Sequence, residues 1–201
     1  AALSEQFTFF CNFIFAWEDL PFNPSFYGVT EPTDHEGQWE YVDEISRGVP
    51  HRFVLGRAPP SPWRDGWVYL PKIEPRGGHG QMDKEGCRAN PPFATAGTTP
   101  LNIGVQFGAY MGFSRIALLG VELSIGHIYA IPEGGLAARV VGKEAAQRPF
   151  TPSRQHHVVK CFERARADLA GRGVELVNCT PVGALKEQWG YTPVEDILGS
   201  R

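Results

Sequence analysis

Short apolar runs alternate with amphipathic stretches along the chain, and this alternation predicts strands and helices in turn. The predicted strands are 7–11, 26–30, 51–55, 67–70, 115–121 and 174–178. Short apolar runs of this kind are typical of parallel sheets, whose strands are covered on both faces. The pattern therefore predicts an α/β fold, with a doubly wound, mostly parallel, Rossmann-like sheet flanked by helices in a single domain over residues 1–201.

Three helices are predicted from apolar residues that recur on one face. The first spans 36–46 and buries Trp39 and Val42. The second starts at Pro100 and is apolar on nearly every side, which predicts a buried helix, and Gly108 would let its backbone lie close to a sheet. The third follows a cap at Ser153. Its apolar stripe consists of Val158, Cys161, Phe162, Ala165 and Leu169.

Loops and charge are distributed unevenly. Residues 71–98 read as one long loop rich in glycine and proline, a length that is often functional. Residues 1–50 carry nine acids and one base, whereas residues 139–172 carry eight bases and three acids. The segment 131–153, which overlaps the start of this basic block, is a candidate basic lid, and Arg148 and Arg154 are candidate phosphate-proximal residues. The alternative is a solvated helix face.

Composition excludes several classes of protein. A formal net charge of −3 argues against a surface that binds nucleic acid throughout. No apolar run approaches the roughly 20 residues of a membrane span, and no signal peptide is evident. The four cysteines have no Cys-x-x-Cys spacing, so a zinc site is not predicted, and a reduced, cytoplasmic protein is the simplest interpretation.

Polar residues follow several predicted strands at their carboxyl ends, where open α/β sheets bind ligands. These places are Asn12, 30–31, 122–129 and 178–180. The turn 95–99 precedes a helix, so its backbone N–H groups and the helix dipole would favour an anion. Each place also has a structural interpretation, because small polar residues commonly cap helices and end strands.

His127 and Tyr129 follow the most apolar strand at this predicted edge. A histidine beside a tyrosine there could act as a base and a hydrogen-bond donor, which makes both candidate catalytic residues. The alternative is a loop histidine without a catalytic part. No GxGxxG or Walker-type glycine motif occurs, which counts against a self-contained dinucleotide or NTPase site.

Five segments match one known pattern in the same order along the chain. They are FFCNFIF at 9–15, YGVTEP at 27–32, TAGTTPLNIGVQFGAYMGFSRIALLGVEL at 95–123, GHIYA at 126–130 and GVELVNCTPVGAL at 173–185. Together they resemble a superfamily of nucleotide-dependent transferases. It contains the bacterial CMP-sialic-acid-dependent sialyltransferases and the 6-hydroxymethylpterin diphosphokinase-like proteins.

The resemblance implies a nucleotide site. The implied nucleotide-binding residues are Asn12, Glu31, Thr95, Gly97 and Thr98. The resemblance implies that Asn12 contacts a phosphate or the ribose, and that Tyr129 donates a hydrogen bond to the leaving phosphate. Glu31 stands where the sialyltransferases have an asparagine and many relatives an aspartate.

The chain also departs from the superfamily pattern. The family opens with a strand and a GNGPS-like phosphate loop, and this chain is expected to begin after both. The family's serine after Thr95 is Ala96 here, and its acidic residue after the apolar strand is Glu122 rather than aspartate. No histidine stands in 150–154, just before the last long helix, where the sialyltransferases carry their general base. These differences count against sialyl transfer even where nucleotide binding is retained.

We therefore expect a nucleotide- or nucleotide-sugar-binding, glycosyltransferase-like domain with its ligand at the carboxyl edge of the sheet. The nucleotide donor is the substrate, and no metal or other cofactor is required. A non-catalytic binding or assembly domain of the same fold is one alternative. Another is a pterin diphosphokinase-like phosphotransferase, which would consume ATP with magnesium although paired carboxylates are not evident. The sequence also allows a homodimer, since a sheet that lacks a strand can pair with a second copy.

Overall fold

The computed structural model describes residues 2–11, 22–30, 38–56, 63–73, 93–94, 100–123 and 151–199. The chain divides into two compact units: the described residues up to Lys72 belong to the first, and those from Ile73 onward to the second. Parallel strands and flanking helices confirm the predicted α/β class. The single-domain organisation over residues 1–201 stays a prediction. No helix in the described ranges is long and apolar enough to cross a membrane.

The first unit is built on a parallel sheet. Its elements are a 3-10 turn Ala2–Glu5, strands β1 (Phe9–Cys11) and β2 (Phe26–Thr30), helix α1 (Gln38–Ile45), and strands β3 (His51–Gly56) and β4 (Trp67–Ile73). The strands lie in the order β1-β2-β3-β4, and each neighbouring pair is parallel. All four strands therefore end at the same edge.

Alternation along the strands gives this sheet two apolar faces. Tyr27 and Val54 face α1 and form a buried cluster with Trp39 and Val42, as predicted for the first helix. The opposite face carries aromatic rings. They include Phe9, Phe26 and Phe53, whose centroids lie 6.2–6.3 Å apart. Because both faces bear apolar side chains, apolar residues follow one another along most of β2 and over 53–55 of β3.

The second unit contains a shorter parallel pair. Its elements are β5 (Phe93–Ala94), a π-helical segment Pro100–Val105, α2 (Gln106–Tyr110), β6 (Arg115–Leu118), α3 (Pro152–Ala170), β7 (Glu175–Asn178), α4 (Ala184–Trp189) and α5 (Val194–Leu198). Strands β6 and β7 pair in parallel from Arg115↔Glu175 to Leu118↔Asn178. The carboxyl ends of β6 and β7 thus lie side by side.

Helix α3 supplies six of the thirteen buried residues in the described core cluster of this unit. Every residue of its predicted apolar stripe is fully buried, which confirms the helical spacing seen in the sequence. The ring of Phe162 meets Trp189 of α4 edge-on, with centroids 6.2 Å apart. A Cβ on Gly108 would lie 3.1 Å from Cδ1 of Ile116, so this glycine lets α2 approach β6 as predicted.

Several predicted boundaries are wrong for identifiable reasons. Strand β4 continues to Ile73, inside the predicted loop 71–98, because the fixed φ of Pro71 is compatible with an extended backbone. Helix α3 begins at Pro152, so Ser153 lies inside it rather than at its cap, and the predicted lid 131–153 overlaps a helix at its last two residues. Strand β6 ends at Leu118, before Gly120 turns the chain at φ 68°. Tyr110 is 49% exposed, so the second helix is not buried on every side.

Candidate functional site

Most of the predicted site residues lie outside the described residues, and their roles stay predictions. They are Asn12, Glu31, Thr95, Gly97, Thr98, His127, Tyr129 and Arg148. Arg154 belongs to the first turn of α3, where the backbone is described. The structure does describe the strand ends and helix termini that lead into these positions.

In the first unit, the carboxyl ends of β1 and β2 lead directly into two predicted positions. Strand β1 ends at Cys11, which Asn12 follows, and β2 ends at Thr30, which Glu31 follows. Burial raises the pKa of the Cys11 thiol to about 12. The sulfur is therefore protonated at neutral pH and is not a nucleophile.

In the second unit, Asn178 and Thr180 join the loops that follow β6 and β7. Asn178 Nδ2 donates to the backbone oxygens of Gly190 at 3.0 Å and Thr180 at 3.3 Å, while its Oδ1 accepts the Thr180 N–H at 3.0 Å. Thr180 Oγ1 accepts the Val121 N–H at 3.1 Å and donates to the Leu118 oxygen at 3.3 Å. Both side chains are buried with every polar atom paired. Of the predicted ligand-binding places, 178–180 therefore has a structural role, because its hydrogen bonds connect the loops that follow β6 and β7. We call Asn178 and Thr180, with these hydrogen bonds, the latch.

Next to the latch, the loop that follows β7 comes into close contact with the loop that follows β6. Gly183 has φ 87°, and a Cβ at this position would overlap the carbonyl group of Glu122. The adjoining Ala184 N–H donates to that carbonyl at 2.9 Å. The next residue, Leu123, holds a left-handed backbone at φ 58°, which is costly for a residue with a side chain. The loop that follows β6 is thus held in a backbone conformation that is unfavourable for Leu123.

The first turn of α3 lies at the carboxyl end of β6. Gln155 Nε2 in that turn donates to the backbone oxygen of Leu123 at 3.0 Å. One turn on, His157 Nε2 lies 3.6 Å from the buried Sγ of Cys161. Among the residues the structure describes, no three side chains of histidine, cysteine, aspartate or glutamate are grouped to hold a metal ion. The feature of this edge that suits a ligand is the amino terminus of α3.

A groove of about 400 Å³ runs along β7, but its aromatic faces are already occupied. The guanidinium of Arg166 lies 5.0 Å from the ring centre of Trp189, and Lys186 Nζ lies 5.7 Å from that of Tyr191. Cations stacked on both rings leave them unsuited to bind a planar base.

Sequence reasoning missed a charged cluster beside the amino ends of β3 and β4. Arg52 Nη1 and Trp67 Nε1 both donate to Asp43 Oδ1 at 2.9 Å, and the Arg52 guanidinium lies 5.2 Å from the Trp67 ring centre. The sequence signal is a triad of tryptophans, 39, 63 and 67, interleaved with charge. Their meeting depends on the β3–β4 register, in which Arg52 is opposite Trp67.

A scan against protein-family models, a search of curated proteins and a search of solved structures found no match to this chain. The resemblance to nucleotide-dependent transferases accordingly stays an expectation from the sequence.

Proposed function

We propose that the chain binds a nucleotide or nucleotide-sugar phosphate at the carboxyl ends of its parallel strands, as a transferase-like domain. The observation that carries this proposal is the start of α3 at the carboxyl end of β6, fixed by the hydrogen bond from Gln155 to Leu123. Helix α3 has 19 residues, so the positive end of its dipole favours an anion there. Arg154 adds a cationic residue to the same turn.

Two further observations support an anionic ligand at this edge. Asn178 and Thr180 are fully used by the framework, so ligand contacts fall to the helix start and to the residues predicted from sequence. The strained backbone at Leu123 is of the kind that clusters at binding and active sites. In the enzymatic version of the proposal, Tyr129 stabilises the leaving phosphate and His127 acts as the base.

Isothermal titration calorimetry with CMP, CDP and cytidine tests the proposal. We expect CDP and CMP to bind and cytidine to bind far more weakly, because the phosphates supply the charge. Asn12→Ala and Thr95→Ala should each weaken CMP binding about tenfold, the effect of losing one hydrogen bond to a charged group. Asn23→Ala and Thr192→Ala are matched controls from described, exposed or half-exposed positions and should leave affinity unchanged. Absence of CMP and CDP binding at about millimolar concentration contradicts the proposal.

A non-catalytic binding domain is the second candidate, and two sequence observations favour it. Ala96 replaces the family serine, and 150–154 lacks the histidine of the sialyltransferases. Incubation with CMP-sialic acid and a panel of sugar acceptors separates the two functions. Release of CMP that is lost in His127→Gln supports an enzyme, whereas CMP binding without release supports a binding domain.

A further inference from the structure

A second cavity, of about 420 Å³, opens beside the amino ends of β3 and β4 in the first unit. Its lining consists of Asp43, Arg47, Arg52, Trp63, Arg64 and Asp65. The volume is within the range of small-molecule sites. The strands are parallel, so this end of the sheet is opposite to the carboxyl ends discussed above. Within the first unit, a ligand here lies at the opposite end of the sheet from the ends of β1 and β2, which Asn12 and Glu31 follow.

One side of the cavity is a fixed framework. Arg52 and Asp43 form an ion pair at 2.9 Å, and both side chains are largely buried. Arg52 Nη2 also donates to the Asp65 carbonyl at 3.1 Å, where Gly66, at φ 80°, leaves room for the guanidinium. Asp43 accepts from Trp67 as well. The charges of Arg52 and Asp43 are thereby neutralised within the wall.

The other side offers cationic donors that the chain uses only in part. Arg64 Nη2 donates to Glu40 Oε1 at 3.2 Å, while Arg64 Nε is shielded from water and has no hydrogen-bond partner among the described residues. Nε and Nη2 form one edge of the guanidinium, which matches the two oxygens of a carboxylate or phosphate. Glu40 accepts from one of these two donors, Nη2, and its side chain is 54% exposed. Arg47 is exposed and forms no ion pair with the described residues.

Trp63 supplies an aromatic wall beside these donors. Its side chain is 42% exposed, although a tryptophan is usually largely buried. Behind it, the buried ring of Trp39 lies at a centroid distance of 6.5 Å and supports it. An exposed indole that is supported by a buried ring on its inner side offers a surface on which a flat ring can stack.

We propose that this cavity binds a small anion carried on an aromatic ring. The ring stacks on Trp63, and the carboxylate or phosphate takes the place of Glu40 as the acceptor from Nη2 of Arg64. Arg47 adds a second cation. The lining holds three guanidinium groups and two carboxylates, and Glu40 pairs with Arg64 beside it. Once Glu40 is displaced, the lining carries one net positive charge, which favours an anion.

Benzoate and phenyl phosphate are the probes, and the indole N–H signal of Trp63 in ¹H–¹⁵N spectra is the readout. Trp63→Leu assigns that signal. We expect one or both probes to shift it saturably, and the tighter probe identifies carboxylate or phosphate as the preferred group. Benzyl alcohol, which lacks the charge, and inorganic phosphate, which lacks the ring, should each bind more weakly by about tenfold or more.

Two variants with opposite expected effects separate a binding site from a structural cluster. Arg64→Gln should weaken the probe about tenfold or more, because the charged fork is lost. Glu40→Gln should tighten it, because the competing carboxylate is removed. Arg115→Gln is the matched control: Arg115 also forms an exposed ion pair, with Glu175 at 2.6 Å, but belongs to the second unit, so its loss should leave affinity unchanged.

The outcomes that would overturn the proposal are equally specific. They are an unmoved Trp63 signal at about 10 mM of both probes, equal binding of inorganic phosphate and phenyl phosphate, and weaker binding in Glu40→Gln. If Arg64→Gln loses its native circular dichroism spectrum, Arg47→Gln replaces it, with a smaller expected loss of affinity. Because no probe contains a nucleoside, these results are independent of whether CMP binds.

Discussion

Gly183 is the residue at which backbone geometry is most constrained. Its φ is 87°, and an added Cβ would overlap the Glu122 carbonyl. We expect Gly183→Ala to lower the free energy of unfolding by about 3 kcal/mol or more, since strain and overlap add. Gly190 is the matched control, with φ 71° and no heavy atom within 4 Å of the place that an added Cβ would take. Gly190→Ala should cost only the strain of this glycine-only region (φ 71°, ψ −165°), about 1–3 kcal/mol, in urea unfolding. Equal losses would contradict the close approach at Glu122.

Cys11 gives the protein a dependence on alkaline pH. Burial raises the pKa of its thiol from 9.0 to about 12. The unfolded thiol therefore ionises first, and the stability that the neutral thiol contributes is complete below pH 9.0 and is lost as the pH rises toward about 12. At about pH 10.5 the loss should be about 1–2 kcal/mol.

Urea unfolding at about pH 8 and about pH 10.5 measures this loss. Other groups titrate in the same window, so the informative quantity is the difference between the wild-type chain and Cys11→Ala. The variant should show a shallower loss with pH. Parallel pH profiles for the two proteins would exclude Cys11 as the source.

At the scale of elements, the latch between the ends of β6 and β7 depends on one hydroxyl. Thr180 Oγ1 pairs with the Val121 N–H and the Leu118 oxygen, and both bonds are buried. Thr180→Val preserves shape and leaves the buried Val121 N–H without its partner, whereas the Leu118 oxygen keeps the Cys179 N–H at 2.8 Å, so we expect a loss of about 1–3 kcal/mol in unfolding free energy. Thr192→Val, at a half-buried position, should change stability by less than about 0.5 kcal/mol. A neutral Thr180→Val would show that water replaces the hydroxyl.

Sequence periodicity predicted elements well where burial alone decides them. Strand β2 has the predicted bounds, and the stripe of α3 is buried at each predicted position. It failed where local backbone chemistry decides. The second helix begins as a π-helix over Pro100–Val105, and its period differs from the regular α-helical spacing on which the prediction relied. Tyr110, read as buried from its type, lies 49% exposed near the end of α2.

At the scale of the whole molecule, functional residues were less predictable than elements. The sequence rule that ligands gather at carboxyl ends nominated 178–180, but the bonding capacity of Asn178 is used by the fold. No sequence pattern nominated Asp43, Arg52 and Arg64, because Asp43 and Trp67 are 24 positions apart and meet only through strand register. The sequence gives the number of charged side chains. The ion pairs and hydrogen bonds of the folded chain decide which of them remain available to a ligand.

Acidic and basic residues are segregated along the chain. Residues 139–172 carry eight bases and three acids, and they include the first turn of α3. If phosphates bind at that turn, the affinity for CDP should fall as sodium chloride rises from about 50 to about 500 mM, while weak cytidine binding should not change. Calorimetry at the two salt concentrations measures the difference.

Arg154 and Arg172 distinguish a local site from a general field. Arg154 lies in the first turn of α3 and Arg172 in the turn after its last residue, so each variant removes one positive charge from opposite ends of the same helix. Arg154→Gln should reduce the salt dependence of CDP binding and weaken the affinity about tenfold at low salt. Arg172→Gln should do neither, because the favourable end of the helix dipole is the amino terminus. Equal effects of the two variants would mean that net charge, rather than a site at the start of α3, attracts the nucleotide.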